Sequence, residues 1–91
     1  MKIVIDVEYE DGRTETVRAT TKDMSRFEEE RNIAVAGGHD FTIKELAWLA
    51  WSAKSRRNAN VGPFDAWWDS VDDISPQSEA TPPLESNQST G

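Results

Sequence analysis

The chain has no cysteine, which excludes disulfide staples, thiolate nucleophiles and cysteine-ligated metals. Hydrophobic residues are scarce at 36%, so only part of the chain can build a packed core. No apolar run approaches the ~20 residues of a membrane-spanning helix. Met1-Lys2-Ile3-Val4-Ile5-Asp6 reaches an acid too early for the apolar stretch of a secretory leader. Glycine-rich phosphate loops, metal-ligand clusters and nucleophile-with-base spacings are also missing. The expectation is a soluble, intracellular, non-enzymatic protein with no cofactor and no metal.

Basic charge is missing from one end. Residues 58–91 hold six acids (Asp65, Asp69, Asp72, Asp73, Glu79, Glu85) and no lysine or arginine, whereas residues 1–57 hold eleven acids and ten bases. Phosphate-backbone binding needs a basic stripe, so nucleic acid is not an expected partner. The acidic third suits a basic protein partner, although solubility alone accounts for any one of its charges.

What is abundant is aromatic, and it is concentrated. All four tryptophans and two of the three phenylalanines lie between Phe41 and Val71, around the run Leu46-Ala47-Trp48-Leu49-Ala50-Trp51. Large aromatics dominate cores and interfaces alike. A chain of 91 residues allows one small domain, and its core must draw on this stretch.

Before it, Ile3, Ile5, Val7 and Tyr9 alternate with Val4, Asp6, Glu8 and Glu10, the period of a strand with one apolar face. Asp11-Gly12 marks a turn, and Val17 and Ala19 continue a second strand. A two-residue turn would oppose Ile5 to Arg18 and Glu8 to Glu15, a poor pairing. A three-residue loop, Glu10-Asp11-Gly12 with Gly12 left-handed, opposes Ile5 to Val17 and Ile3 to Ala19. The second register is the expected one. Two strands are marginal alone, so helices must cover the apolar face or another subunit must extend the sheet.

Thr20-Thr21-Lys22-Asp23 predicts a helix start at Thr20 or Thr21, with Met24 and Phe27 as its apolar edge. Gly37-Gly38 breaks regular structure after it. His39, the one histidine, is expected as an exposed loop residue with no second ligand or base beside it. Thr42 and Glu45 form a capping box for a second helix, with Phe41 and Leu46 placed as a hydrophobic staple. At about 100° per residue, Ile43, Leu46, Ala47, Leu49, Ala50, Trp51 and Ala53 cover a broad apolar arc. Trp48 falls outside it, and either a neighbouring element, the third helix by expectation, or a partner must cover it. Lys54, Arg56 and Arg57 suit the negative end of the helix dipole. Pro63 opens a third helix, in which Phe64, Trp67, Trp68 and Val71 form one edge, ending at Asp72-Asp73. From Ser75 onward Leu84 is the one large apolar residue, and disorder is expected.

The fold expectation is α+β: an N-terminal β-hairpin followed by three short helices over residues 1–74, then a disordered Pro/Ser/Thr-rich tail over 75–91. Several of these residues carry a resemblance. The helix Leu46-Ala47-Trp48-Leu49-Ala50-Trp51-Ser52-Ala53-Lys54 ending in bases, the Gly62-Pro63-Phe64-Asp65-Ala66-Trp67 helix start, Val71-Asp72-Asp73-Ile74 and the Pro/Ser/Thr-rich tail form the pattern. It resembles the short tail assembly chaperones of long-tailed bacteriophages, especially those of actinobacterial hosts, over roughly residues 14–83. The Gly37-Gly38 loop and the doubled Trp67-Trp68 lie outside that pattern.

The resemblance implies a non-enzymatic role in the host cell cytoplasm. Its members bind the aggregation-prone tape measure protein, help recruit tail tube protein around it, and are absent from the finished virion. It also implies a frameshifted longer form, for which the C-terminal tail would be the linker; self-association among copies is a further expectation for the aromatic surface. Neither nucleic acid nor membrane enters as a partner. Candidate partner-binding residues are Trp48, Trp51, Phe64, Trp67 and Trp68, because a holdase needs apolar area on a soluble, charged body. The competing reading is an acidic phage protein that mimics DNA or inhibits a host factor by protein–protein binding.

Overall fold

The structure is a computed structural model that describes residues 2–77. Its first element is the hairpin of β1 (Ile3–Tyr9) and β2 (Thr14–Ala19). Ile3 faces Ala19 and Ile5 faces Val17, the register expected from the three-residue loop. The Tyr9 N–H donates to the Arg13 carbonyl at 2.8 Å and the Gly12 N–H to the Tyr9 carbonyl at 2.9 Å. Gly12 sits at φ +92°, where a side chain would be strained.

Helix α1 (Thr21–Arg31) is capped at Thr20, and Asp23 completes the capping box by accepting the Thr20 N–H at 2.9 Å. Asn32 ends it in the left-handed conformation, φ 56°, which asparagine tolerates better than most residues. The following loop returns to the body through Val35, which is buried and whose N–H donates to Glu28 at 2.7 Å. Helix α2 (Ile43–Arg57) starts at the expected box: the Glu45 N–H donates to Thr42 Oγ1 at 3.1 Å, and Glu45 accepts the Thr42 N–H at 2.9 Å. Its buried side covers Leu46 to Ala50, Ser52 and Ala53. Ile43, expected within the apolar arc, is 64% exposed because it lies in the first turn, beyond the sheet and α1.

The third helix departs from expectation. After a 3-10 turn at Ala59–Val61, helix α3 spans only Phe64–Trp68. The Ser70 hydroxyl and N–H both donate to the Trp67 carbonyl, at 2.6 and 3.0 Å, and close it. Val71, placed by its spacing on the helical edge, instead opens strand β3 (Val71–Pro76). The physical reason is nonlocal. Strand β1 has a second edge of unpaired backbone groups, and Val71 and Ile74 are residues that suit strands. Two aspartates at a helix C-terminus would oppose the dipole. β3 pairs antiparallel with β1, Val7 facing Ile74 and Asp6 facing Ser75, with an irregularity between Glu8 and Tyr9.

The fold is therefore α+β, with a three-stranded antiparallel sheet in the order β2-β1-β3. The chain extends its own sheet, and no second subunit is needed for that purpose. Ile5, Val7, Tyr9, Val17, Ala19 and Ile74 point from the sheet into one core with Phe27, Leu49 and the buried face of α2. Ser75 and Pro76, expected at the start of the tail, belong to β3, and the Gln77 N–H donates to the Val4 carbonyl at 2.8 Å. The rest of the expected tail, residues 78–91, lies outside the described residues.

Candidate partner-binding surface

Every tryptophan, phenylalanine and tyrosine of the chain, together with His39, joins one network of ring contacts. It runs from His39 and Phe41 through Phe27, Trp48 and Trp51 to Phe64, where it divides to Trp68 and to Trp67 and Tyr9. The five candidate residues all lie on it, but they are not alike.

Trp48 is 9% exposed and Trp67 7% exposed. Trp48 sits 5.8 Å from the Phe27 ring, with the Arg26 guanidinium 5.8 Å from its centroid. The expected cover from the third helix is thus replaced by α1. Phe27 of α1 packs on Trp48, whereas Phe64 of α3 packs on its neighbour Trp51. Trp67 turns inward and donates its indole N–H to the Tyr9 hydroxyl at 3.2 Å. That hydroxyl donates in turn to Glu15 at 2.6 Å, and both Glu15 oxygens accept from Lys54 at 2.9 and 2.8 Å. Burial, then the hydrogen bond to Glu15, push the Tyr9 phenol up to about 12. Burial raises the Glu15 carboxyl, but the Lys54 and Tyr9 hydrogen bonds outweigh it and hold it below its usual range.

Trp51, Phe64 and Trp68 remain half-buried. The Trp51 indole N–H donates to the Gly62 carbonyl at 2.8 Å, fixing the ring against the segment that leads into α3. Phe64 lies 6.0 Å from Trp51 in an edge contact and 6.1 Å from Trp68, nearly parallel at 11°. One backbone hydrogen bond and two ring contacts therefore hold a rigid aromatic corner that still meets solvent. Rigid aromatics of this kind bind apolar surface at low entropic cost.

Two charged sites were not legible from the sequence. Asp23 is fully buried. It accepts from Arg56 Nε at 2.9 Å and Nη2 at 2.7 Å, from the Ser52 hydroxyl at 2.7 Å, and from the Thr20 N–H. Burial opposes its charge, yet Arg56, the Thr20 N–H and Ser52 together hold the carboxyl below the usual carboxylate range. Arg26 donates to the same Ser52 hydroxyl at 3.0 Å. The cations closing α2 are thus more than partners of the helix dipole: Arg56 ties α2 to α1, and Lys54 ties it to β2. A signal was present in the spacing, since Ser52 and Arg56 are four apart and share one helix face.

His39 also differs from expectation. It is half-buried, with Nε2 3.2 Å from Glu45 Oε1 and its ring 4.8 Å from Phe41. The Thr42 N–H, then His39, hold the Glu45 carboxyl below its usual range. The pair fastens the glycine loop to the start of α2.

Among the described residues no cluster of histidine and carboxylate side chains has the arrangement of a metal site. No described helix is long and apolar enough to cross a membrane. Comparison of the chain with protein-family models, with curated proteins and with solved structures finds no match.

Proposed function

We propose that this protein is a short tail assembly chaperone of a long-tailed bacteriophage, acting in the host cytoplasm without catalysis. Its client is the tape measure protein, around which it helps recruit tail tube subunits. The choice of client rests on the sequence resemblance. The observation that carries a binding role is the half-buried corner of Trp51, Phe64 and Trp68 on a chain of net charge −7. Apolar clients are held by such surfaces while the surrounding charge keeps the complex in solution. Trp48 and Trp67 support that corner from beneath.

The test is affinity capture of the protein co-expressed with its neighbouring tail genes, followed by mass spectrometry of what is retained. Recovery of tape measure or tail tube protein, lost on Trp68→Ala or Phe64→Ala, supports the reading. An open shifted reading frame in the DNA beyond Gly91 would add the frameshifted longer form. The reading of an acidic mimic keeps one observation in its favour: Asp6, Glu8 and Asp73 fall in neighbouring positions on the sheet surface away from the helices. Capture of a host nucleic-acid-binding protein, dependent on those three acids, would replace the chaperone reading.

A further inference from the structure

The sheet has two outer edges, and they are built differently. The β3 edge is blunted: Pro76 has no N–H to offer, and Asp72 and Asp73 line it with like charge. The β2 edge carries no proline, and its charges, Glu15 and Arg18, are of opposite sign. Among the described residues β2 pairs only with β1, and the bond from the Tyr9 N–H to the Arg13 carbonyl sets the phase of the ladder. Backbone groups alternate in direction along an antiparallel strand. Glu15, Val17 and Ala19 therefore turn theirs toward β1, and Thr14, Thr16 and Arg18 turn theirs outward. A 3.4 Å contact from Arg57 Nη2 to the Arg18 carbonyl marks that outward direction.

A shallow groove of about 240 Å³ runs beside this edge, lined by Glu15, Thr16, Val17, Lys54, Arg57 and Asn58. Its one acid is already neutralised, because Lys54 holds both Glu15 oxygens. Arg57 has only the long contact to a carbonyl, and the Arg18 side chain makes no ion pair among the described residues. Two uncommitted guanidinium groups thus flank open main-chain donors and acceptors, Arg18 from the outer sheet face and Arg57 from the helical side. The basic character is confined to the Arg18 end of the edge, because Asp6 and Glu8 lie opposite Thr16 and Thr14 on the outer sheet face.

We infer that the β2 edge receives an extended acidic peptide segment of a partner as a fourth strand. Main-chain bonds form to Thr14 and Thr16, and carboxylates of the peptide meet Arg18 and Arg57. Strand addition of this kind takes affinity from the backbone and selectivity from the flanking side chains. The residues lining the groove do not include Trp51, Phe64 or Trp68.

The probes are two capped octapeptides, one alternating glutamate with threonine and the other lysine with threonine, titrated to millimolar concentration. Amide hydrogen exchange of the full chain is read by NMR. The glutamate peptide is expected to slow exchange at Thr14 and Thr16 by about tenfold or more, while the lysine peptide leaves them unchanged. Arg57→Glu should reverse that preference. Thr16→Pro removes an outward N–H without touching the β1 ladder and should abolish protection by the glutamate peptide. Should Thr16→Pro fail to fold, Arg57→Glu, at an exposed position, decides alone. No protection, equal protection by both peptides, or protection centred on Ile74 of β3 would overturn the inference.

Discussion

The seam between α1 and α2 and the corner around α3 are both rich in aromatics, yet they are held in different ways. At the seam, Phe27 and Trp48 meet in the core beside a carboxylate that is fully buried and fully partnered. A buried ion pair adds little net stability, but losing one partner is costly, so the seam tolerates no sliding of one helix along the other. At the corner, Trp51, Phe64 and Trp68 are tied by one indole-to-carbonyl bond and by ring contacts. Nothing there is both charged and buried. The same residue types are thus held in two ways: by desolvated charge at the seam, and by one hydrogen bond and ring contacts at the corner, the face proposed to bind a partner.

The sharpest way to break that division is Phe27→Ala. Phe27 is fully buried between Trp48, Phe41 and His39, and its loss should cost about 3–5 kcal/mol in urea unfolding. Next comes Arg56→Met, which strands the Asp23 carboxylate and should cost about 3 kcal/mol or more by the same measurement. Combining it with Asp23→Leu should recover much of the loss, because both charges are then gone. A double variant no better than the single one would mean that the pair is not the source of the cost.

Acid should separate the regions next. The folded Asp23 carboxyl is depressed, so its contribution is present above the unfolded value of about 4 and disappears as pH falls through the folded value. The denaturation midpoint of the native chain should therefore fall on acidification through that window, and Asp23→Asn should flatten part of the fall. The smallest effect on stability belongs to the corner. Trp68→Ala should cost only about 1–2 kcal/mol, less than a fully buried aromatic, since Trp68 is only partly buried. Thermal unfolding followed by circular dichroism checks it.

Local features were legible in the sequence where the causes are local. Gly12 and the alternation on either side of it set the hairpin register, and Thr20, Asp23, Thr42 and Glu45 announced both helix starts. What could not be read were pairings across long stretches of chain. The spacing of Phe64, Trp67, Trp68 and Val71 matches a helix, and only the vacant edge of β1 draws Val71 into a strand. Asp23 looked like an ordinary capping acid because Arg56 lies 33 residues away. Trp48 and Trp67 stood beside Trp51 and Trp68 as equal candidates. Their burial depends on where α1 and Tyr9 come to rest, which no spacing along α2 or α3 encodes. The exposed part of the aromatic stretch was therefore overestimated.

The proposed division puts binding at the corner and stability at the seam. Its most direct test measures tape measure protein binding and unfolding free energy side by side for Trp68→Ala and Trp48→Ala. Trp68→Ala should lose binding while costing only about 1–2 kcal/mol of stability, whereas Trp48→Ala should lose stability first. Native-strength binding by a folded Trp68→Ala variant would contradict it.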